Sequence, residues 1–318
     1  MSRPASAAAP AWQPSQFLSV LDLTPSELEI CLALASEMKA ARAARRAHAM
    51  PLTGRHVALL FDKPSLRTRV TFEVAVRELG GSPILLPADV ALGSREPVAD
   101  VARNLERWVD VVVIRTFAQQ IVEEFAGAAP TLRLINALTD EEHPCQALAD
   151  VLTLRERFGD LTGRTIAYVG DGNNVATSLA EACVMQGMHV RIASPEGYEL
   201  PAAIQRRVAS EGRDGATLTL LSDPVAAVRG AAAVYTDVWT SMGQENETAI
   251  RKRAFAGFQV NESLMAHASP DAIFMHCLPA HRGEEVSAGV MDGPSSVVFD
   301  QAENRLHAQK ALLAMLFE

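Results

Sequence analysis

The sequence predicts an α/β protein made of two doubly wound parallel-sheet domains. Three observations carry that prediction. Short β-rich runs alternate with helical stretches, the pattern that gives parallel strands covered on both faces. The alternation comes in two series, separated by the turn FGDLTGR, where Gly159 and Gly163 break the periodicity. A chain of 318 residues matches about two domains of roughly 150 residues each. The expected division is 1–150 and 151–302, followed by a last helix over 303–318.

The elements follow in order. The opening MSRPASAAAPAWQPSQ, rich in Ala, Pro and Ser without a continuous apolar core, reads as a loose tail rather than a secretory signal. Thr24 and Glu27 have capping-box spacing around Pro25, so a long helix starts there and runs to the Arg-rich segment near Arg45. HVALLF is the first clear strand and stops at Pro64. A helix capped by Ser65 follows, with Phe72, Ala75, Val76 and Leu79 as its buried face. PILL, VVVIR and LRLINA supply further strands, with helices over PVADVARNLERWV, after VVVIR, and over PCQALADVLTLRERF. In the second series TIAYVG, HVRIAS, ATLTLL, AAVYTD, FQVN and AIFMHC read as strands. No repeat recurs at a fixed period.

Composition removes several function classes. Hydrophobic residues make up 48% and charged residues 21%, which excludes disordered, collagen-like and coiled-coil proteins. The net charge of −9 and pI near 5.4 disfavour a nucleic-acid binder. Cys31, Cys145, Cys183 and Cys277 are far apart without a C-x-x-C pair, so neither a disulfide framework nor a zinc ribbon is expected and a reducing cytoplasm fits. The apolar runs are shorter than the ~20 residues a membrane span needs.

Ligands of open parallel sheets bind outside the carboxyl ends of the strands, so the loops there carry the candidate residues. In FDKPSLRTR, Ser65, Arg67 and Thr68 at a helix start form an anion cradle that needs no metal. No Walker sequence is present. In EEHPCQ, His143 and Gln146 flank Pro144 and can face one carbonyl and one amide nitrogen. In YVGDGNNVATS, Gly170 and Gly172 invite a dinucleotide reading, which Val175 spoils by standing where the third glycine belongs; Asn173 and Asn174 suit an amino acid instead. Asp237 can accept from an ammonium group, and Ser241 with the Met242 backbone can bind a carboxylate. Cys277, His276 and His281 lack a fourth ligand at zinc-site spacing.

Together SLRTR, HPCQ, GDGNN, DVWTSMGQE, HCLP and AENRLH resemble, in order, the carbamoyltransferases of the ornithine type, over about 17–318. The resemblance implies a carbamoyl phosphate domain, a Rossmann-like ornithine domain, and a last helix returning to the first domain. It implies that Ser65, the Leu66 backbone, Arg67, Thr68, Arg115, His143, Gln146, Cys277, Leu278 and Arg305 bind carbamoyl phosphate. Ornithine falls to Asn174, Asp237, Ser241 and Met242. Arg67, His143, Asp237, Cys277 and Arg305 would be the catalytic residues, with Asp237 and Cys277 both open as groups that orient or deprotonate the amine and the leaving phosphate as a further proton acceptor. It further implies citrulline and phosphate as products within arginine biosynthesis, a homotrimer or stack of trimers, and neither cofactor nor metal. Two positions depart from the family pattern. Leu66 stands where Thr is commoner, and Ala91 where many bacterial members have a Gln that reaches a neighbouring subunit. Alternatives are transfer to N-acyl-ornithine, aspartate or putrescine, an NAD-dependent dehydrogenase, and a non-catalytic binding homologue.

Overall fold

The computed structural model describes residues 15–86, 92, 95–241 and 243–317. Ala91, Met242 and the first 14 residues of the opening tail lie outside them. Ten strands are seen among the described residues: β1 (Gln16–Phe17), β2 (His56–Phe61), β3 (Ser82–Leu85), β4 (Val111–Arg115), β5 (Arg133–Leu138), β6 (Thr165–Val169), β7 (His189–Ala193), β8 (Leu218–Leu221), β9 (Ala233–Thr236) and β10 (Ile273–His276). They form two five-stranded sheets, ordered β1-β5-β4-β2-β3 and β10-β9-β6-β7-β8. Every pairing is parallel.

The helices are α1 (Pro25–Ala43), α2 (Arg67–Glu78), α3 (Val98–Leu105), α4 (Gln119–Ala128), α5 (Pro144–Phe158), α6 (Asn174–Met185), α7 (Ala202–Glu211), α8 (Pro224–Val228), α9 (Thr248–Ala254), α10 (Glu262–Met265), α11 (Ala288–Met291) and α12 (Val298–Met315). The capping box at Thr24 forms in both directions: Glu27 N–H donates to Thr24 Oγ1 at 3.2 Å, and Thr24 N–H to Glu27 Oε2 at 2.7 Å. Phe72, Ala75, Val76 and Leu79 are fully buried, as their spacing predicts. Truncating a buried ring such as Phe72 to Ala costs roughly 3–5 kcal/mol. β2 and β4 are almost wholly buried, because helices cover both faces of the sheet.

Sheet order fixes where ligands fit. From β2 the chain first goes one way, to β3, and later the other way, to β4 and β5. From β6 it goes to β7 and β8 on one side and to β9 and β10 on the other. Each reversal opens a crevice at the carboxyl ends of two neighbouring strands, β2 with β4 and β6 with β9. α12 leaves the second sheet and packs on α1, α2 and α5, so the chain ends against the first. One apolar cluster, from Leu28 and Phe72 to Val175 and Leu312, runs through both parts.

Four sequence expectations need correction. FQVN is not a sheet strand: Val260 makes an isolated bridge to Val286, its N–H donating to the Glu285 carbonyl at 2.8 Å, so it pairs with a loop. Gln16, read as tail, belongs to β1 beside Leu134. The helix over PVADVARNLERWV stops at Leu105. α12 begins at Val298, ahead of 303, because Val298 and Gln301 are themselves buried.

Candidate active site

The loop after β2 turns into α2. Leu66 is already helical, so Ser65 takes the capping role: its Oγ accepts from Thr68 N–H at 3.2 Å. The other amides of that first turn have no intrahelical acceptor, and their positive end faces the β2–β4 crevice. Leu66 itself is 75% exposed, leaving only its backbone for the site.

Three guanidinium groups gather there. Arg115 ends β4 and Arg305 lies on α12; both are buried, and Arg67 begins α2. Arg305 Nη2 donates to Thr68 Oγ1 at 2.6 Å, and Arg67 Nη2 to the Leu278 carbonyl at 2.6 Å. Among the described residues none of the three is in an ion pair. Burial, then Arg305 and Arg67, lower the Arg115 pKa to about 10, so it remains charged at neutral pH. Burial likewise lowers that of Arg305.

His143 and Gln146 arrive from the start of α5, after β5. The His143 imidazole is held well below its usual range by burial and then by Arg305, Arg115, Arg67 and Lys63, so it is neutral. Gln146 Nε2 donates to Asp150 Oδ1 at 2.8 Å, which leaves its carbonyl end free. Arg115 Nε, Arg305 Nε, His143 Nδ1 and Gln146 Oε1 are buried without a hydrogen-bond partner among the described residues. An unpartnered buried polar group costs ~1–3 kcal/mol. Positive charge with orphaned donors, and one orphaned acceptor, describes a seat for an anion carrying an amide group.

The second sheet completes the cleft. Asp237 follows β9, where its carboxylate accepts from Asn173 Nδ2 at 2.9 Å and from the Cys277 thiol at 3.0 Å. Burial and the Asp237 charge push the Cys277 pKa well above a thiol's ordinary value. The sequence left Asp237, Cys277 and the leaving phosphate open as groups to orient or deprotonate the amine; in the structure the Cys277 thiol is a hydrogen-bond donor to Asp237. Asp237, His276 and Cys277 bring possible ligand atoms within 4.8 Å of one another, yet each is engaged within the protein. His276 Nδ1 accepts from Leu278 N–H at 2.9 Å. Leu278 has φ +61°, a left-handed backbone that turns its carbonyl to Arg67.

Asn173, which the sequence offered to an amino acid, instead caps α6 through Val175 and Ala176 N–H. Asn174 Nδ2 donates to the Thr139 carbonyl at 2.6 Å, tying the second part to the first. Gly172 is obligatory: a Cβ there would sit 2.3 Å from Leu200 N. Ser241 lies on the loop after β9, its N–H donating to Gln244 Oε1 at 3.1 Å. Arg251 fixes that loop, donating to Asp171 Oδ2 at 2.8 Å and the Trp239 carbonyl at 3.1 Å.

Sequence reading missed several residues. Lys63 is buried at the mouth, its ammonium 4.3 Å from the Phe117 ring centroid and paired with Asp140. Its place beside Pro64 in the anion loop was the available signal. Gln301 lies one helical turn before Arg305, on the same face. It donates to Asp150 Oδ1 at 2.7 Å and Tyr235 at 3.1 Å and accepts from His276 N–H. Arg251 and Asp171 carried no local signal, since 80 residues separate them.

The aspartate/ornithine carbamoyltransferase family matches almost the whole chain, its carbamoyl-P binding domain over residues 15–156 and its Asp/Orn binding domain over 162–316. The chain belongs to this family. It is 55% identical to the ornithine carbamoyltransferase of Acidothermus cellulolyticus, over 95% of this chain and 96% of that protein. The ornithine carbamoyltransferase of Symbiobacterium thermophilum is 53% identical, over 94% of this chain and 97% of its own. Among solved structures, the Pyrococcus furiosus ornithine carbamoyltransferase superposes with a TM-score of 0.93 at 47% identity, covering 96% of this chain and 98% of that one. The expected family fold of two parallel-sheet domains is therefore observed. No helix among the described residues is long and apolar enough to cross a membrane.

Proposed function

We propose that this chain is a carbamoyltransferase that moves the carbamoyl group of carbamoyl phosphate to the δ-amine of L-ornithine, giving L-citrulline and phosphate. One observation carries the reading: three guanidinium groups from α2, β4 and α12, none in an ion pair among the described residues, act on the buried His143 at the start of α5, where His143 Nδ1 and Gln146 Oε1 have no hydrogen-bond partner among those residues, with the Asp237 carboxylate across the cleft.

In this reading Ser65, the Leu66 backbone, Arg67, Thr68 and Arg115 hold the phosphate. Neutral His143 and Arg305 donate to the carbamoyl oxygen, and Gln146 Oε1 accepts from its NH₂. The Leu278 carbonyl and Cys277 backbone border the same group. Ornithine lies between Asn174, Asp237 and Ser241, with Asp237 orienting its amine; Met242, the fourth expected position, lies outside the described residues. That amine has pKa ~10.4 in water, so it must lose a proton before attack. That first proton goes to solvent; attack leaves a second on the nitrogen, now cationic, and the departing phosphate, gaining negative charge, takes it. Attack gives a tetrahedral oxyanion, which collapses with release of phosphate; no covalent enzyme intermediate forms. Charge building on the oxyanion would be stabilised most by Arg67, Thr68, His143 and Arg305.

The assigned division puts carbamoyl phosphate on 1–150 with the returning helix 303–318, and ornithine on 151–302. The reaction serves arginine biosynthesis in the cytoplasm, and the assembly is a homotrimer or a multiple of it. Citrulline formation, compared across ornithine, N-acetylornithine, aspartate and putrescine, tests the reading. Ornithine is expected to exceed the others by at least ~100-fold in kcat/KM, because each of them lacks the δ-amine, the α-carboxylate or the free α-ammonium that the pocket would pair. Equal rates with putrescine would overturn the acceptor assignment. Sedimentation of the purified chain tests the trimer.

A further inference from the structure

Behind His143, away from the cleft, two buried carboxylates meet across the junction of the two sheets. Glu142 lies on the loop before α5 and Glu181 on α6, and neither is more than 1% exposed. A single cation serves both: Arg207 of α7 donates from Nε to Glu181 Oε1 at 2.6 Å and from Nη2 to Glu142 Oε1 at 2.7 Å. Ser19, just before the short turn Val20–Asp22, donates to Glu142 Oε1 at 3.0 Å. Among the described residues Arg207 is the one cation in ion-pair contact with either carboxylate. The neighbouring charges are acids: Glu141, which acts on Arg207, and Asp22, which accepts from Leu18 and Ser19 N–H. The His143 ring is neutral. Two ionised carboxylates against one guanidinium would leave a bare charge in the interior, which is relieved when the pair keeps a proton.

The pair is wired to the site. Ser178 of α6 donates its hydroxyl proton to Glu142 Oε2 and accepts from His143 N–H at 2.8 Å. We propose that Glu142 and Glu181 share one proton at neutral pH and, through Ser178, hold His143 in place, which makes both glutamates positioning residues for carbamoyl transfer. The proposal rests on the carbamoyl-transfer reading for its kinetic consequence. Burial, and then the charge of Glu142, push Glu181 up to about 8; burial also raises Glu142. Loss of the proton at alkaline pH sets two negative charges against each other across the junction, pulling α6 from the 139–143 loop and His143 from the carbamoyl oxygen. The cost falls on kcat more than on KM for carbamoyl phosphate, since His143 acts on the developing oxyanion.

The test uses the full-length wild type, Glu181→Gln and Glu142→Gln. Glutamine at 181 keeps a donor facing Glu142 and mimics the protonated pair at every pH. The quantity measured is the ratio of variant to wild-type kcat from pH 6.5 to 9.5, in which the titration of the acceptor amine cancels. The ratio is expected to stay near 1 at the acid end and to rise at least ~3-fold at the alkaline end. A second readout needs no turnover: the His143 imidazole resonance in ligand-free protein shifts with the pair's titration in wild type and not in Glu181→Gln. A uniformly lowered kcat, or a ratio flat with pH, overturns the positioning role. Should Glu181→Gln fail to fold, Glu142→Gln gives the same ratio. Wild type that makes no citrulline sinks the carbamoyl-transfer reading, and the His143 resonance then decides the proton sharing by itself: an inflection lost in the Gln variant upholds it, and no inflection in wild type overturns it.

Discussion

On the side of the first sheet, Arg115 Nε, Arg305 Nε, His143 Nδ1 and Gln146 Oε1 are buried with no partner among the described residues, whereas on the side of the second sheet the Asp237 carboxylate already accepts from Asn173 and Cys277. At those four atoms a ligand on the first side meets groups that have no bond to give up. A ligand on the second must share or displace bonds that exist. The difference teaches why a small dianion should bind first: it recovers the ~1–3 kcal/mol that each orphaned group costs. The acceptor amino acid lacks that gain until the anion, seated beside the Arg67–Leu278 bond, closes the floor of its pocket.

The comparison breaks most visibly at Arg67. Arg67→Ala removes an oxyanion donor and the bond to Leu278, so kcat should fall ~100- to 1,000-fold with the circular dichroism spectrum intact. Unchanged citrulline formation would refute the anion assignment. Asp237→Asn sharpens the other half. KM for ornithine should rise ~10-fold or more while KM for carbamoyl phosphate stays within ~2-fold, from loss of one charge-assisted bond. An equal rise in both would show that the halves are not separate. Cys277→Ser keeps a donor toward Asp237, and steady-state rates within ~5-fold of wild type are expected. A loss as large as that of Arg67→Ala would restore Cys277 as a base.

The smallest effect concerns pH. His143 is held below its unfolded value, so its contribution to stability is present above pH ~6.5 and is lost as pH falls through the folded value. Denaturant titrations from pH 7 down to 5 should show a shallower acid loss in His143→Gln than in wild type. Parallel curves would mean the imidazole is not held neutral.

Much of this was legible in the sequence where chemistry and local structure share a segment. Ser65, Arg67 and Thr68 sit at a helix start following a strand, and both the helix and the cradle follow from that spacing. The capping box at Thr24 and the buried face of α2 were readable for the same reason: their partners are three or four residues apart. FQVN misled because an apolar run alone does not say whether its backbone meets a sheet or a loop. The junction of Glu142, Glu181 and Arg207 was invisible, since its members lie 26 and 65 residues apart and meet only when α6 and α7 pack behind the His143 loop. That the Cys277 thiol donates to Asp237 was equally invisible, since 40 residues separate them.

Calorimetric titration of ornithine into the protein, alone and saturated with a carbamoyl phosphate isostere whose bridging oxygen is replaced by methylene, tests the ordering of the two halves most directly. Ornithine should bind at least ~10-fold tighter to the saturated protein, a coupling of about 1.4 kcal/mol. Equal affinity in the two titrations would contradict it.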